Sequence, residues 1–359
     1  MPQLKLENVS KWYNDNVCAV QNVSLQIEKE EFVVIVGPSG CGKSTLLRMI
    51  AGLEKASSGK IYLDGTCINE LPTRDRQIAM VFQNYALYPH MTVYENLAFG
   101  LKMRKIPKVE IDKRINEVTK NLKINGLLNR KPQSLSGGQC QRVALARAII
   151  KKTKLFLMDE PLSSLDSTLR LQMRREITNL HNKIKITSIY VTHDQSEAMT
   201  MATKLFVMKD GVILQVGPPM NVYEKPNSIF VATFLGSPGM NILRGKLMDD
   251  TFMIGKSSIK LPMDKYGYLL EQGYCNKELL LGVRPEHIVQ AKDNESNILD
   301  IKITHVERLG DVSLIYSFFE CQPIVAKMND FTMKFTLDLD RIHFFDPLTE
   351  KRVDSFNDE

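Results

Sequence analysis

The first two thirds of the chain alternate between short apolar runs and longer amphipathic segments. The runs Phe32–Val36, Ile78–Phe82, Leu155–Met158 and Thr187–Val191 contain five residues or fewer and are mostly aliphatic or aromatic. Runs of this length and composition predict buried strands. Because helical segments separate them, the pattern predicts an α/β fold with a parallel sheet.

Apolar residues at helical spacing mark the amphipathic segments. Within the charge-dense stretch 92–134 they recur at i, i+4, i+7 and i+11. These four positions are Ile111, Ile115, Val118 and Leu122. The period predicts an inserted helical subdomain covering about residues 88–152. A second stripe of the same period begins at Leu169 and predicts another amphipathic helix.

Alternating segments lie near both ends of the chain. Leu4–Val9 and Val23–Ile27 alternate as strands do, and a strand pair is predicted across Asp210-Gly211. Around Gly236 the pattern changes to short alternating segments without long helices. The sequence therefore predicts two domains, an α/β domain at 1–235 and a small all-β domain at 236–359.

Composition is that of an ordinary folded protein. The 359 residues are 43% hydrophobic and 25% charged, and the longest uninterrupted apolar run has five residues. A membrane span needs about 20, so none is expected, and no signal-peptide pattern follows Met1. Six scattered cysteines without a C-x-x-C pair indicate reduced thiols in cytosol and argue against a disulfide frame or a zinc site.

The net charge of +6 is concentrated in one stretch. Residues 101–132 contain ten Lys/Arg and three Asp/Glu, which gives 10 − 3 = +7. A solvated helical face is the favoured interpretation, and attraction to an anionic membrane surface is the second. Nucleic-acid binding is disfavoured because the stretch has no aromatic residue on which bases could stack.

The segment between the first buried strand and the first helix has the form of a phosphate-binding loop. Gly37–Thr45 reads G-P-S-G-C-G-K-S-T and matches G-x-x-x-x-G-K-[ST]. Its glycines allow backbone N–H groups to face one anion, Lys43 adds a charge, and Ser44 presents a hydroxyl to Mg²⁺. Cys41 lies beside Lys43 at a helix N-terminus, which favours a thiolate; the alternative is a small filler.

Two further segments point to nucleotide chemistry. The strand Leu155–Met158 ends in Asp159, which can hold Mg²⁺ through water, and Glu160 follows, where it could polarise an attacking water. Leu135–Gln139 reads L-S-G-G-Q and opens a helix, which makes a second anion site. One nucleotide does not need two such sites. The economical explanation is that the second serves the nucleotide of a partner chain.

These motifs stand in the order of ATP-binding cassette (ABC) ATPases, and the resemblance covers the whole chain. It is closest to the ATPase subunits of bacterial carbohydrate importers of the maltose, multiple-sugar and glycerol-3-phosphate type. Four segments carry this finer likeness: Val81–His90, Tyr190–Met199, Gly236–Asn241 and Gly282–His287. The last two resemble part of the oligonucleotide-fold-like (OB-fold-like) regulatory domain, also called TOBE, of those subunits.

The resemblance implies roles for individual residues. Tyr13 would stack on adenine, with Trp12 as its rival. Gln83 would touch Mg²⁺ or the attacking water, His193 would contact the γ-phosphate, and Asp166 would cross a dimer interface. The implied ATP-binding set is Tyr13, Gly37, Pro38, Ser39, Gly40, Cys41, Gly42, Lys43, Ser44, Thr45, Gln83, Ser136, Gly138, Gln139, Asp159 and Asp166. The implied Mg²⁺ ligands are Ser44, Gln83 and Asp159, and the implied catalytic residues are Glu160, His193, Gln83 and Lys43.

Two positions depart from the family pattern. Cys140 stands where Arg or Gln is usual, and Ser164 stands where Asn or Ala is common. Neither is expected to touch phosphate, so the ATPase interpretation is unaffected.

The resulting hypothesis is an import ATPase on the cytoplasmic face of the membrane. Two copies would clamp two Mg·ATP, and two integral-membrane permease subunits and an extracellular solute-binding protein would complete the transporter. Tyr85–Met91 is the expected docking groove for the permease. The main rival is a polyamine or oxyanion importer. A DNA-repair or chromosome-structure ATPase of this superfamily would contain long coiled coils, and a translation factor would contain two cassettes. The sequence shows no sustained heptads and one set of motifs, so no nucleic-acid partner is expected. A simple phosphate-loop kinase would not need the Leu-Ser-Gly-Gly-Gln segment that is present here.

Overall fold

The computed structural model describes residues 2–13, 16–291, 297–299, 301–329 and 334–353. The chain divides into two compact units, Met1–Met220 and Asn221–Glu359. This division lies ahead of the predicted boundary at 235/236. The reason is visible in the helix that precedes that boundary, since its Ala232 packs with Met240 and Phe345 of the second unit.

The first unit contains ten strands and six helices among its described residues. The strands are β1 (Leu4–Tyr13), β2 (Val17–Ile27), β3 (Phe32–Val36), β4 (Ser58–Leu63), β5 (Thr66–Cys67), β6 (Ile78–Val81), β7 (Leu155–Asp159), β8 (Thr187–Thr192), β9 (Lys204–Lys209) and β10 (Val212–Gly217). The helices are α1 (Lys43–Ala51), α2 (Val93–Met103), α3 (Lys108–Asn121), α4 (Gly137–Ile149), α5 (Ser167–Ile184) and α6 (Gln195–Met201).

The predicted parallel sheet is confirmed. Its order is β10-β9-β3-β8-β7-β6, and every neighbouring pair is parallel except β9 and β10. All residues of β3, β7 and β8 are buried, as the apolar runs predict. Because parallel strands end at the same edge, the segments that follow β3, β6, β7 and β8 meet there. Those are the four segments in which the sequence places nucleotide chemistry.

The first unit also contains an antiparallel sheet with the order β2-β1-β4-β5. Its first two strands are longer than their alternation predicts. The β1–β2 register shifts three times between Leu6 and Trp12, and Asn8 has a φ of 49°. These bulges interrupt the two-residue period, so the hydrophobic pattern alone ended β1 too early and began β2 too late. One hydrophobic core joins this sheet, α1 and the parallel sheet.

The helices α2, α3 and α4 fall within the stretch 88–152. Thr92 and Glu95 form a capping box at the start of α2. On α3 the predicted stripe is buried at Ile111, Ile115 and Val118, while the rest of the helix is charged and largely exposed. The lysine-rich stretch is thus amphipathic, with its apolar side packed.

The second unit is mainly β, as predicted. Its strands are β11 (Asn241–Met248), β12 (Thr251–Ile254), β13 (Ser257–Lys260), β14 (Glu278–Val283), β15 (Ile288–Gln290), β16 (Ile301–Arg308), β17 (Ser313–Phe319), β18 (Gln322–Met328), β19 (Phe335–Leu337) and β20 (His343–Phe345). Its helices are α8 (Ile229–Phe234) and α9 (Met263–Glu271), and α7 (Pro219–Glu224) spans the division. Sheets β13-β12-β11-β14-β20, β15-β19 and β16-β17-β18 enclose one core. The alternation pattern did not predict α9.

A buried arginine explains one of the sequence segments that carry the family likeness. Arg284 lies in Gly282–His287 and is almost fully buried. Its guanidinium donates hydrogen bonds to the carbonyl oxygens of Ala232, Leu235 and Tyr223 and lies 3.7 Å above the Tyr223 ring. Arg284 therefore fastens α8 and the end of α7 to the β strands of this unit.

The structure describes all six cysteines. All six cysteines are free thiols. Among the helices that the structure describes, none combines the length and the apolar character needed to cross a membrane.

Candidate nucleotide site

The loop between β3 and α1 requires glycine at two close approaches. A Cβ on Gly37 would lie 2.0 Å from the Met208 carbonyl oxygen, and one on Gly42 would lie 2.1 Å from that of Ala19. Gly42 also has a φ of 102°, which L side chains rarely adopt. The loop is thus pressed against neighbouring backbone and turns tightly into α1. Its glycines allow the backbone to form an anion-binding concavity.

Lys43 is buried in this loop and turned back on it. Its Nζ donates to the carbonyl oxygens of Gly37 (2.9 Å) and Pro38 (2.7 Å) and lies 3.7 Å from Cys41 Sγ. In the described part of the chain the ammonium forms no salt bridge. A buried cation that is held by two carbonyl oxygens and a thiol, with no carboxylate partner, is poised to exchange them for an anion. The loop therefore fits a phosphate group.

The next side chain joins the loop to the end of β7. Ser44 Oγ donates a 2.6 Å hydrogen bond to Asp159 Oδ1, and Arg48 Nε lies 4.0 Å from Asp159 Oδ2. Burial raises the pKa of Asp159, and the Ser44 hydrogen bond opposes that shift. A cation beside Asp159 would favour its charged form. Arg48 was missed by the sequence reasoning, although it follows Ser44 by one helical turn.

Glu160 and His193 form the second pair at this edge. Glu160 Oε2 lies 3.1 Å from His193 Nδ1; the glutamate side chain is 18% exposed and the histidine 51%. Glu160 has a φ of 43°, and its backbone N–H donates to the Val191 carbonyl at the end of β8. The pair is a carboxylate with an orienting imidazole, half open to solvent. This geometry suits a general base.

The other residues that the sequence predicts for the nucleotide site are more exposed. Tyr13 ends β1, where Lys11 Nζ lies 4.9 Å above its ring, and Trp12 is also exposed. Gln83 is exposed just after β6. Ser39 and Gly40 are exposed in the loop, whereas Thr45 is partly buried in α1. Tyr13 and Trp12 are therefore both exposed enough to stack on a nucleotide base.

The Leu-Ser-Gly-Gly-Gln segment caps α4 and stands apart from the phosphate loop. Ser136 Oγ accepts from the Gln139 N–H, and Gln139 Oε1 accepts from the Ser136 N–H. Gly138 is buried against Leu169 of α5, and Asp166 caps α5 through the Leu169 N–H at 2.9 Å. Between described residues, no hydrogen bond or ion pair connects positions 135–139 or Asp166 to positions 37–45. Within one chain these residues contact each other and α5, and the described residues show neither kind of bond from them to the phosphate loop.

An arginine missed by the sequence reasoning fixes the segment after Gln83. Arg147 donates to the carbonyl oxygens of Ala86 (2.7 Å) and Tyr85 (3.0 Å). Both acceptor residues have positive φ, 48° and 56°, and the guanidinium lies 5.8 Å from the centre of the Tyr88 ring. The segment Tyr85–Met91 therefore has a defined shape anchored to α4. One indication in the sequence that Arg147 belongs to the site is that it lies on the same helix, α4, as the Gly-Gly-Gln motif.

The thiolate hypothesis for Cys41 is wrong. Its side chain is 5% exposed in the core that surrounds α1, and this burial raises its pKa despite the nearby Lys43. Desolvation of the charged form outweighs the attraction of the ammonium. The alternative, a small filler, describes the residue. Cys140 is likewise buried, which raises its pKa, and Ser164 Oγ lies 2.8 Å from the Tyr85 hydroxyl.

We expect Cys41 to react slowly with maleimide in the folded protein. Exposed Cys67 and Cys321 should be modified first, with Cys41 at least roughly tenfold slower, because the thiolate is the reactive form and burial disfavours it. The measurement is timed labelling followed by peptide mass spectrometry, with a guanidinium-unfolded sample as the control in which all six thiols react. Labelling of Cys41 at the rate of Cys67 would contradict the burial argument.

Comparison with known families matches both units. Residues 20–163 match the family described as ABC transporter, and residues 236–288 match the MalK OB fold domain. The first match includes the phosphate loop, Ser136–Gln139 and Glu160. The second begins at the residue where the hydrophobic pattern changes.

Relatives of similar length match almost end to end. The oligosaccharides import ATP-binding protein MsmX of Bacillus subtilis is 50% identical over 98% of this chain and 100% of its own length. The sn-glycerol-3-phosphate import ATP-binding protein UgpC of Psychromonas ingrahamii is 46% identical over 99% of this chain and 96% of its own.

Solved structures match about three fifths of the chain. CbiO1 from Clostridium perfringens, part of an ABC transporter complex, has a TM-score of 0.59 at 30% identity and covers 62% of this chain and 91% of its own. The ATP-binding cassette MJ0796, in a dimeric post-hydrolysis state bound to ADP and Pi, has a TM-score of 0.54 at 34% identity and covers 60% and 98%.

Proposed function

Because the chain belongs to the ATP-binding subunits of ABC transporters, which are ATPases, we propose that it hydrolyses Mg·ATP as a homodimer to power uptake of a sugar or sugar derivative. Its relatives MsmX and UgpC, by their names, import oligosaccharides and sn-glycerol-3-phosphate. Likeness over nearly the full length of both supports the same class of solute. The observation that carries the proposal is the pair of contacts at one sheet edge, Ser44 with Asp159 and Glu160 with His193.

The residues at that edge fit a nucleotide and Mg²⁺. The N–H groups of Gly37–Thr45 would bind the phosphates, and Tyr13 would stack on the base. Ser44 and Asp159, joined at 2.6 Å, are the hard oxygen donors that Mg²⁺ prefers, and exposed Gln83 would complete the set. No group of three or more His, Cys, Asp or Glu among the described residues forms a metal cluster, which suits an ion held largely by phosphate oxygens.

Each side chain has a defined task in phosphoryl transfer to water. Lys43 leaves the carbonyl oxygens of Gly37 and Pro38 and donates to the phosphate oxygens. The Glu160 carboxylate orients a water and accepts its proton as the new oxygen–phosphorus bond forms and the bond to the leaving phosphate breaks. His193 keeps Glu160 in place through Nδ1 and presents its exposed edge to the γ-phosphate. Bound Mg²⁺ neutralises charge on the phosphates.

The second half of each site comes from the partner copy. Ser136, Gly138 and Gln139 at the start of α4, with Asp166 at the start of α5, would close over the nucleotide in the partner's phosphate loop. Their separation from positions 37–45 within one chain, and the dimeric state of the similar cassette MJ0796, support this arrangement.

The transporter around the homodimer would have three further components and a membrane position. Two integral-membrane permease subunits would dock at Tyr85–Met91, next to Gln83, and an extracellular solute-binding protein would deliver the sugar. The protein would lie peripherally on the cytoplasmic face of the membrane. We assign catalysis to residues 1–235 and regulation to 236–359, and no nucleic acid takes part.

The proposal is tested by transport in proteoliposomes. The protein is reconstituted with the permease pair and the solute-binding protein encoded beside its gene, and uptake of labelled oligosaccharide, polyamine and oxyanion is compared with ATP on the side of the ATPase. ATP-dependent uptake of the sugar alone is expected, and Asp159→Asn should abolish it because the variant loses its anionic Mg²⁺ ligand. Asp75→Asn, at an exposed carboxylate, is the control. Uptake of polyamine or oxyanion instead would overturn the solute class.

A further inference from the structure

One guanidinium connects the two loops that the proposed function assigns to different nucleotides. Arg170 Nη2 donates to the Leu165 carbonyl oxygen at 3.0 Å, and Arg170 Nη1 lies 3.5 Å from Asp194 Oδ2. Leu165 immediately precedes Asp166, and Asp194 immediately follows His193. We propose that Arg170 is a positioning residue that couples Asp166, at the partner's nucleotide, to His193, at the nucleotide of its own chain. The inference rests on the proposed function.

The Asp194 side of this connection is rigid. Asp194 Oδ1 accepts the N–H groups of Ser196 (2.8 Å) and Glu197 (3.1 Å) as the cap of α6, which leaves Oδ2 for Arg170. The Asp194 N–H donates to Thr192 Oγ1 at 2.9 Å, and that hydroxyl donates to buried Glu197 at 2.7 Å. A shift of Asp194 would therefore move the turn that carries His193.

The Leu165 side is equally defined. The Ser163 hydroxyl donates to the Glu160 carbonyl oxygen at 2.9 Å, and Leu165 is buried, with its N–H on the Leu162 carbonyl at 3.2 Å. The segment from Glu160 to Leu165 is thus a short, hydrogen-bonded path. Arg170 closes a ring of contacts that runs from Glu160 through His193, Asp194, Arg170 and Leu165 back to Glu160. A displacement at one loop is transmitted to the other around this ring.

The position of Arg170 is not explained by helix stability. It lies at the beginning of α5, where the positive end of the helix dipole disfavours a cation, and Asp166 already caps this terminus. Its two acceptors lie on two different loops, which matches the fork of a guanidinium and not the single ammonium of lysine. The Arg170 side chain therefore connects the loop before α5 with the loop before α6.

Hydrogen exchange without nucleotide tests the connection independently of ATP hydrolysis. In the full-length Arg170→Ala variant we expect faster amide exchange in both segments 162–166 and 193–197, because each loses a shared partner. In Arg170→Lys, which lacks the planar fork that directs one terminal nitrogen at each loop, we expect faster exchange in at least one of the two. Arg175→Ala and Asn182→Ala, at exposed positions of the same helix, are controls that should leave both segments unchanged.

The catalytic readout follows on the same variants with saturating Mg·ATP. We expect kcat of Arg170→Ala to fall roughly 10- to 100-fold with little change in the KM for ATP, because misplaced groups lose orientation and not nucleotide affinity. Unchanged exchange in either segment, or kcat equal to the controls, would overturn the proposal. Inactive wild-type protein would refute the proposed ATPase function instead, while the exchange result would still decide whether Arg170 connects the loops.

Discussion

Glu160→Gln is expected to bind ATP as the wild type does and to lose hydrolysis by roughly 10²- to 10⁴-fold, the usual contribution of a general base. Glu160 Oε2 lies 3.1 Å from His193 Nδ1 and follows Asp159, so the carboxylate occupies the place from which a water can be polarised. The amide preserves the shape and the contact with His193 but cannot accept a proton. The nucleotide should remain intact, and the ATP-held dimer should accumulate.

Two measurements check this result. Phosphate release gives the rate, and size-exclusion chromatography with ATP gives the dimer fraction. Glu117→Gln, an exposed glutamate on α3, is the matched control and should behave as wild type. Turnover of Glu160→Gln within about threefold of wild type would be too small a loss for a general base and would remove Glu160 from that role.

Local patterns predicted those parts of the site that lie along one stretch of chain. The apolar run Phe32–Val36 with the glycine-rich segment behind it predicted β3, the loop and α1. The helix that opens at Ser136 was predicted in the same way. In each case backbone preference and hydrophobic period point to one conformation, and tertiary packing agrees with both.

Features that depend on tertiary packing were missed or predicted wrongly. The attraction of Lys43 for a Cys41 thiolate could be seen in the sequence, but the degree of burial that reverses the pKa shift could not. Arg170 and Asp194 are 24 positions apart and meet only because α5 and α6 pack together. Distances of this kind are set by sheet order and helix packing, which hydrophobic period does not specify.

The same limit applies to the Leu-Ser-Gly-Gly-Gln segment. Sequence reasoning treated it as a second anion site, whereas in the single chain Ser136 and Gln139 satisfy each other in a capping box. The capping box still leaves an exposed helix start with its positive end outward. A site of this kind needs its anion from elsewhere, and a nucleotide in a partner's phosphate loop supplies one.

Complementation between two inactive variants is the sharpest test of that arrangement. Lys43→Ala removes the ammonium from the phosphate loop. Gly137→Asp places a carboxylate at the exposed first position of α4, where it would repel a phosphate. Its Cβ would lie 3.3 Å from Leu165 Cδ2 and 3.4 Å from the Tyr85 hydroxyl, so these side chains must shift by a few tenths of an ångström. Gly137 is preferable to Gly138, since a Cβ on Gly138 would lie 2.8 Å from Leu169 and disturb packing between helices. Each variant alone should fail to trap nucleotide with vanadate.

A heterodimer of the two variants, purified through two different tags, has one composite site with both lesions and one with neither. The intact site should trap labelled nucleotide with vanadate, although steady turnover stays low if both sites must act together. Lys43→Ala paired with a Lys43→Ala/Gly137→Asp double variant has no intact site and is the negative control. Gly126→Asp, in open space on the same subdomain, should keep activity and shows that an added carboxylate is not harmful in itself.

Trapping restored only in the first pair requires that the two motifs act between chains. If a confirmed heterodimer traps no more than the control, both motifs serve one nucleotide within one chain, and the two-site mechanism must be abandoned.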